Sequence, residues 1–308
     1  MSLHPTFLGL TPESVQTVTD PLAWVVVAAF LVATVLSYRS TRHARYAAAG
    51  AWTLFAGFWL LLVPHFAFVQ KSFVEGILSA FAVPASLYVA YLVATKRESL
   101  LVLTRAVAVM GLLYLPALAL PWLQEWLIET TAGHVAWLLG VLGYHPELVV
   151  GDKGYLNTFV FWPTPDHRFL IHVVLACTGI GSMSVVTGLV LAMDAPVDRK
   201  AKALGIALPV IYVANVLRVA FIALASGHQW FQVFVDQILF LFGSTDAYKV
   251  SYFVSDRIIA QSLSVVVLVA LIWVLLRVLP ELVVVVEDVL YVATGDDYDL
   301  REQFGGRV

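Results

Sequence analysis

The chain has 308 residues, 60% hydrophobic and only 13% charged, with a mean hydropathy of +0.87 and a formal net charge of −3. Soluble domains carry about 25% charged residues, so this composition describes a polytopic membrane protein. The near-neutral charge argues against a nucleic-acid partner, and a single cysteine excludes an intramolecular disulfide or a cysteine-rich metal site.

Residues 1–20 read as a short polar tail. With Glu13 and Asp20 and no Lys or Arg, they lack the basic flank of a secretory signal peptide. The apolar runs place spans at 22–38, 47–63, 77–94, 100–118, 169–193, 204–225 and 258–279, and an acidic tail at 280–308 holding seven Asp or Glu against two Arg. The loops after the first, third and fifth spans hold three, two and three Lys or Arg (Arg39, Arg42, Arg45; Lys96, Arg97; Arg199, Lys200, Lys202). The positive-inside rule then puts the N-terminus outside and the C-terminus in the cytoplasm.

Residues 122–143 are long enough to count as an eighth span. They carry Glu125, Glu129 and His134, costly in hydrocarbon, and counting them would turn the basic loop at 199–202 outward. They read instead as an interfacial helix anchored by Trp122, Trp126 and Trp137, and 228–242 reads similarly. Between them, β-prone runs flanking Gly151-Asp152-Lys153-Gly154 predict a short hairpin over 147–162. The expectation is an all-α polytopic membrane protein: one membrane domain, 1–308, of about seven transmembrane helices, with interfacial helices and a hairpin on the outer face.

Cys177 lies eight residues past Phe169. At helical rise that is roughly 12 Å, in the outer leaflet. Gly181, Ser184 and Gly188 would share its helix face. On its own a lone thiol is most often a small buried hydrophobe. Arg218 sits about seven residues from the outer end of the sixth span, where a central arginine costs about 2.5–3.5 kcal/mol, and Asn215 shares its face. Arg257 opens the last span, a usual place for an interfacial anchor, and Gln261 and Ser264 continue its face inward; Asp256 beside it is available to pair with a cation. A buried thiol ionises poorly, a nearby guanidinium favours the thiolate, and a second can hold the oxyanion of a tetrahedral intermediate. His172, five residues before Cys177, reads as structural or interfacial. Ser182 lacks the surroundings of an intramembrane serine protease. His145, His167 and His228 fall in outside loops, and no metal or cofactor is called for.

At these residues the sequence resembles the exosortase and archaeosortase family of membrane transpeptidases. The matching pieces are Ala-Cys-Thr-Gly-Ile at 176–180, Asn-Val-Leu-Arg at 215–218, and a basic residue at the start of the last span. That residue is commonly histidine in the bacterial branch; Arg257, with spacings of 41 and 39 residues between Cys177, Arg218 and Arg257, resembles the archaeal branch. The resemblance implies recognition of a C-terminal sorting signal on exported proteins: a Pro-Gly-Phe motif, a transmembrane helix and a basic cluster. The S-layer glycoprotein of haloarchaea is the best-known type of substrate. It further implies Cys177 as a nucleophile forming a thioester, Arg218 and Arg257 as activating and stabilising cations, and a membrane lipid as acceptor. The acidic tail would suit the substrate's basic cluster. Three other readings compete: a purely hydrolytic cysteine protease, an anion transporter or channel using Arg218 and Arg257, and a scaffold without chemistry.

Overall fold

A computed structural model describes residues 12–66, 73–95, 97–164 and 167–300. It contains helices α1 (Pro12–Ser37), α2 (Thr41–Pro64), α3 (Phe73–Thr95), α4 (Leu100–Ala119), α5 (Pro121–Val141), α6 (Ile180–Ala192), α7 (Val197–Gly227), α8 (Val235–Phe242), α9 (Ala247–Val278) and α10 (Val283–Thr294), with strands β1 (Glu147–Val150), β2 (Leu156–Thr164) and β3 (His167–His172) between α5 and α6. Among the described residues, six helices are long and apolar enough to cross a membrane: α1 from Val18, α2, α3 from Gly76, α4, α7 and α9. The helical, polytopic architecture read from composition holds. All of the expected 1–20 tail that is described belongs to α1, which runs through Pro21; residues 1–11 lie outside the described part.

The chain forms two compact units, residues 1–115, 184–204 and 275–308 in the first and 116–183 and 205–274 in the second. In the first, α1, α2, α3 and α4 pack around Phe30, Trp52, Leu92, Val93 and Leu100. The Trp52 indole donates to the Thr104 hydroxyl (3.0 Å), which satisfies the polar atoms of that core. The basic loop residues do local work: Arg45 donates to the carbonyls of Val93 and Ala94, left without helical partners at the end of α3 (2.9 and 2.8 Å).

The acidic tail is not a free arm over its described length. Asp288 is buried and receives Arg97 (2.8 Å) and Ser99 (3.0 Å), Asp297 also pairs with Arg97, and Arg97 lies over the Tyr291 ring (3.6 Å). Glu281 receives Arg199 at 2.7 Å. These acids are engaged inside their own unit.

Gly188 marks a close helix crossing in the same unit. A Cβ there would collide with the Ala106 carbonyl oxygen of α4 and come within 3.1 Å of the Met110 amide. Backbone atoms cannot step aside as side chains do, so the crossing needs glycine. Gly188→Val is expected to cost at least the 1–3 kcal/mol or so of ordinary overpacking and to lower the melting temperature of the full-length chain in detergent. Gly205→Ala, where nothing lies within 4 Å, should leave it unchanged or raise it, since alanine is the better helix former.

In the second unit the predicted hairpin forms, with Glu147 opposite Val160. Its turn is closed by the Gly151 amide on the Tyr155 carbonyl (2.8 Å). The sequence reading of 169–193 as one continuous helix is corrected here. Residues 167–172 instead form β3, a third antiparallel strand on β2, with Phe161 opposite Phe169 and Thr158 opposite His172. The run Phe-Leu-Ile-His-Val-Val is aromatic and β-branched and alternates with period 2: Phe169, Ile171 and Val173 join the core while Leu170 and Val174 are exposed. High hydropathy alone does not separate such a strand from a helix. What remains helical is α6, thirteen residues, about 20 Å long at helical rise and so shorter than a bilayer's hydrocarbon core. The inner face of the sheet, with Phe159 and Phe161, packs on Ile128, Ala132, Val135 and Leu139 of α5 and on Val216, Val219, Ala220 and Ala223 of α7.

Candidate active site

Cys177 sits in a single 3-10 turn, Leu175–Thr178, between β3 and α6. Two features fix the turn. The Cys177 amide donates to the Val174 carbonyl (2.7 Å), and Gly179 takes φ +77°, a left-handed conformation that lets the chain pass from the turn into α6. The depth estimate from helical rise therefore does not apply. Nor does the shared face with Gly181, Ser184 and Gly188, because Cys177 is not on α6 and Ser184 and Gly188 belong to the other unit.

Asn215, from the middle of α7, donates its amide to the Cys177 carbonyl. It also lies against Gly179, where a Cβ would be 3.5 Å from both Asn215 Cβ and Cγ. The residue that shares the Arg218 face of α7 thus holds the backbone of the thiol itself. Arg218 is one helical turn further along α7. Its Nη2 donates to Asp256 Oδ1 at 2.7 Å, and its Nε is buried with no hydrogen-bond partner among the described residues.

The span expected to begin at 258 begins at Ala247, so Arg257 lies ten residues inside a 32-residue helix rather than at its edge. Residues Phe253–Ala260 adopt the wider π-helical winding, which is rare and recurs at functional sites. Three buried serines tie this segment to α7: Ser251 donates to the Ala225 carbonyl (2.6 Å), and Ser226 and Ser255 meet at 3.2 Å. This sets Asp256, 7% exposed, against Arg218. Its second oxygen lies 3.5 Å from Arg257 Nε, and the Tyr252 hydroxyl interacts with both Asp256 and Arg257. One buried carboxylate therefore lies between two guanidiniums, leaving the trio one positive charge.

The π winding also breaks the expected Arg257–Gln261–Ser264 stripe. Ser264 is exposed and bonds back to the Ala260 carbonyl (2.7 Å). Gln261 is half-buried, and its backbone N–H donates to the Asp256 carbonyl across the π turn. His172 donates to or accepts from the Thr158 hydroxyl at 2.8 Å and so serves the sheet, as expected. Asp256 is the residue that the sequence reading undervalues.

Burial pushes the Cys177 thiol up from its ordinary range. The Val174 backbone and the Arg218 cation pull it back down, and Asp256 pushes it up again. Arg218 and Asp256 are thus both within electrostatic reach of the sulfur. A weakly ionised thiol with a cation beside it suits a nucleophile that becomes anionic only at the moment of reaction.

No solved structure matches this chain. It is 49% identical over 296 residues to an archaeosortase A from Haloferax volcanii, covering 93% of this chain and 97% of the relative. It is 43% identical over 291 residues to an archaeosortase A from Natronomonas pharaonis, covering 92% and 91%. The family described as transmembrane exosortase matches residues 17–248, which include Cys177, Asn215 and Arg218 and stop short of Asp256 and Arg257. With three quarters of its length matched by that model, this chain belongs to the transmembrane exosortase family.

Proposed function

We propose that the protein is a membrane cysteine transpeptidase acting on exported proteins that carry a C-terminal sorting signal: a Pro-Gly-Phe-type motif, a transmembrane helix and a basic cluster, as on an S-layer glycoprotein. The observation that carries this reading is the gathering in one unit of the only thiol, the Asn215 amide that fixes its backbone, and two arginines gripped by Asp256. Cys177 attacks the carbonyl carbon of the scissile peptide. Negative charge develops on the carbonyl oxygen, where Arg218 and Arg257 stabilise it. The C–N bond breaks, the departing amine takes the proton released by the thiol, and a thioester remains. A nucleophile borne by a membrane lipid then attacks the thioester and restores the thiol. The active site faces the outer side, where such substrates and lipids meet.

The anion-pathway reading needs no thiol, so Cys177→Ala separates it from acyl transfer. The test is a reporter bearing a Pro-Gly-Phe-type signal, followed by mass analysis of its new C-terminus. Transfer predicts a product lacking the terminal helix and carrying the mass of a lipid. A free carboxylate would instead make the enzyme a hydrolase. A reporter left intact by the wild-type enzyme would end the proposal.

A further inference from the structure

We propose that Asp256 is a positioning residue for this reaction, holding the Arg218 and Arg257 guanidiniums in one fixed arrangement so that the Arg218 Nε–H is left to receive the carbonyl oxygen of the substrate. The inference rests on the proposed acyl transfer and adds to it a residue and an atom.

A carboxylate buried in a 32-residue apolar helix is costly unless paired. Here each oxygen has its own cation, Oδ1 on Arg218 Nη2 at 2.7 Å and Oδ2 near Arg257 Nε at 3.5 Å. Two arginines brought together without an anion would repel each other; with Asp256 between them they share one site. The consequence for Arg218 is geometric. A guanidinium is a rigid planar fork, so holding Nη2 on Asp256 limits where Nε–H can point. That N–H is buried and unpartnered among the described residues. Leaving such a donor unmade costs about 1–3 kcal/mol, which a substrate oxygen would recover once its binding opens a way to the N–H. The serine contacts between α7 and α9 and the π segment are what bring the carboxylate to this place.

The experiment uses the full-length protein in membranes, with alkylation of Cys177, its only thiol, counting intact sites. Asp256→Asn keeps the shape and removes the charge; Asp256→Glu restores the charge one methylene further out. Per intact site, Asp256→Asn is expected to lower kcat on the reporter by about 100-fold, the scale of a misplaced catalytic group, with KM within a few-fold of wild type and Asp256→Glu recovering part of the loss. Because the carboxylate opposes the thiolate, the alkylation midpoint of Cys177 should move to lower pH in Asp256→Asn although the enzyme is slower. Four results overturn the inference: kcat within three-fold of wild type, a loss that disappears once intact sites are counted, an Asp256→Glu variant as slow as Asp256→Asn, or an unmoved midpoint. Failure of the acyl-transfer reading would show elsewhere, in a Cys177→Ala enzyme that still processes.

Discussion

Cys177→Ala leaves a sorting-signal reporter at full length while the enzyme accumulates as the wild type does. The expected loss is on the order of a thousand-fold or more, the scale seen when a nucleophile is removed. The structure makes this substitution unusually clean. Cys177 is held through its backbone, by its amide on Val174 and its carbonyl under Asn215, and alanine keeps both bonds. Only the sulfur is lost, so a loss of processing belongs to the chemistry and not to the turn. Cys177→Ser is expected to fare little better, because a hydroxyl ionises far less readily than a thiol. In the wild type, burial holds the thiol above its ordinary range. The thiolate fraction at neutral pH is therefore small, and the rate of alkylation should keep rising through the alkaline side of the usual thiol range. If Cys177→Ala processes the reporter normally, the sulfur is packing, the transpeptidase reading fails at its centre, and the anion-pathway reading takes its place.

How much of this was legible in the sequence depends on which physical signal carried each part. The long apolar helices announce themselves through hydropathy, and the hairpin through Gly151-Asp152-Lys153-Gly154 between β-prone runs. The segment 169–193 misleads because hydropathy is blind to conformation. Phe169, Ile171 and Val173 alternate as a strand does, and Gly179 supplies the break before α6. Cys177, Arg218 and Asn215 are recognisable as polar or reactive residues in apolar surroundings. That Asn215 serves the Cys177 carbonyl rather than Arg218 follows from the 3-10 turn, which spacing does not reveal. Asp256 was obscured by a boundary. With the last span begun at 258, Asp256 falls in a connector, where an acid needs no explanation. With α9 begun at Ala247 it is an ionisable residue deep in an apolar helix, where an acid calls for a partner or a role. The tail was legible in charge and not in role: Asp288 pairs with Arg97, so deleting 287–308 would disturb a packed unit before it tested any substrate contact.

Arg218→Lys is the sharper of the two substitutions at that position, and it is expected to lose processing about as severely as Arg218→Ala. A purely structural cation would have one task, to neutralise Asp256 inside the membrane protein, and a lysine ammonium can do that. The arrangement asks for two tasks from one side chain. Nη2 is committed to Asp256 at 2.7 Å while Nε–H stays buried and unpartnered. Lysine is a single point charge on a flexible stem and lacks the fixed fork that points two donors in set directions; drawn to Asp256, its ammonium would leave the carbonyl oxygen without its donor. The loss should be about 100- to 1,000-fold, the scale of one missing oxyanion donor. Arg218→Ala is harder to interpret, because it strips the buried carboxylate of its shorter ion pair and leaves only Arg257 at 3.5 Å. Breaking a buried pair from one side costs about 3–5 kcal/mol, so its accumulation must be measured beside its activity. The check is reporter processing per alkylatable Cys177 in both variants. If Arg218→Lys processes within ten-fold of the wild type, charge alone suffices and Arg218 is a structural counter-ion to Asp256. If both variants are inactive while Cys177 still takes the alkylating reagent, the guanidinium acts on the substrate, and Asp256 is what holds it there.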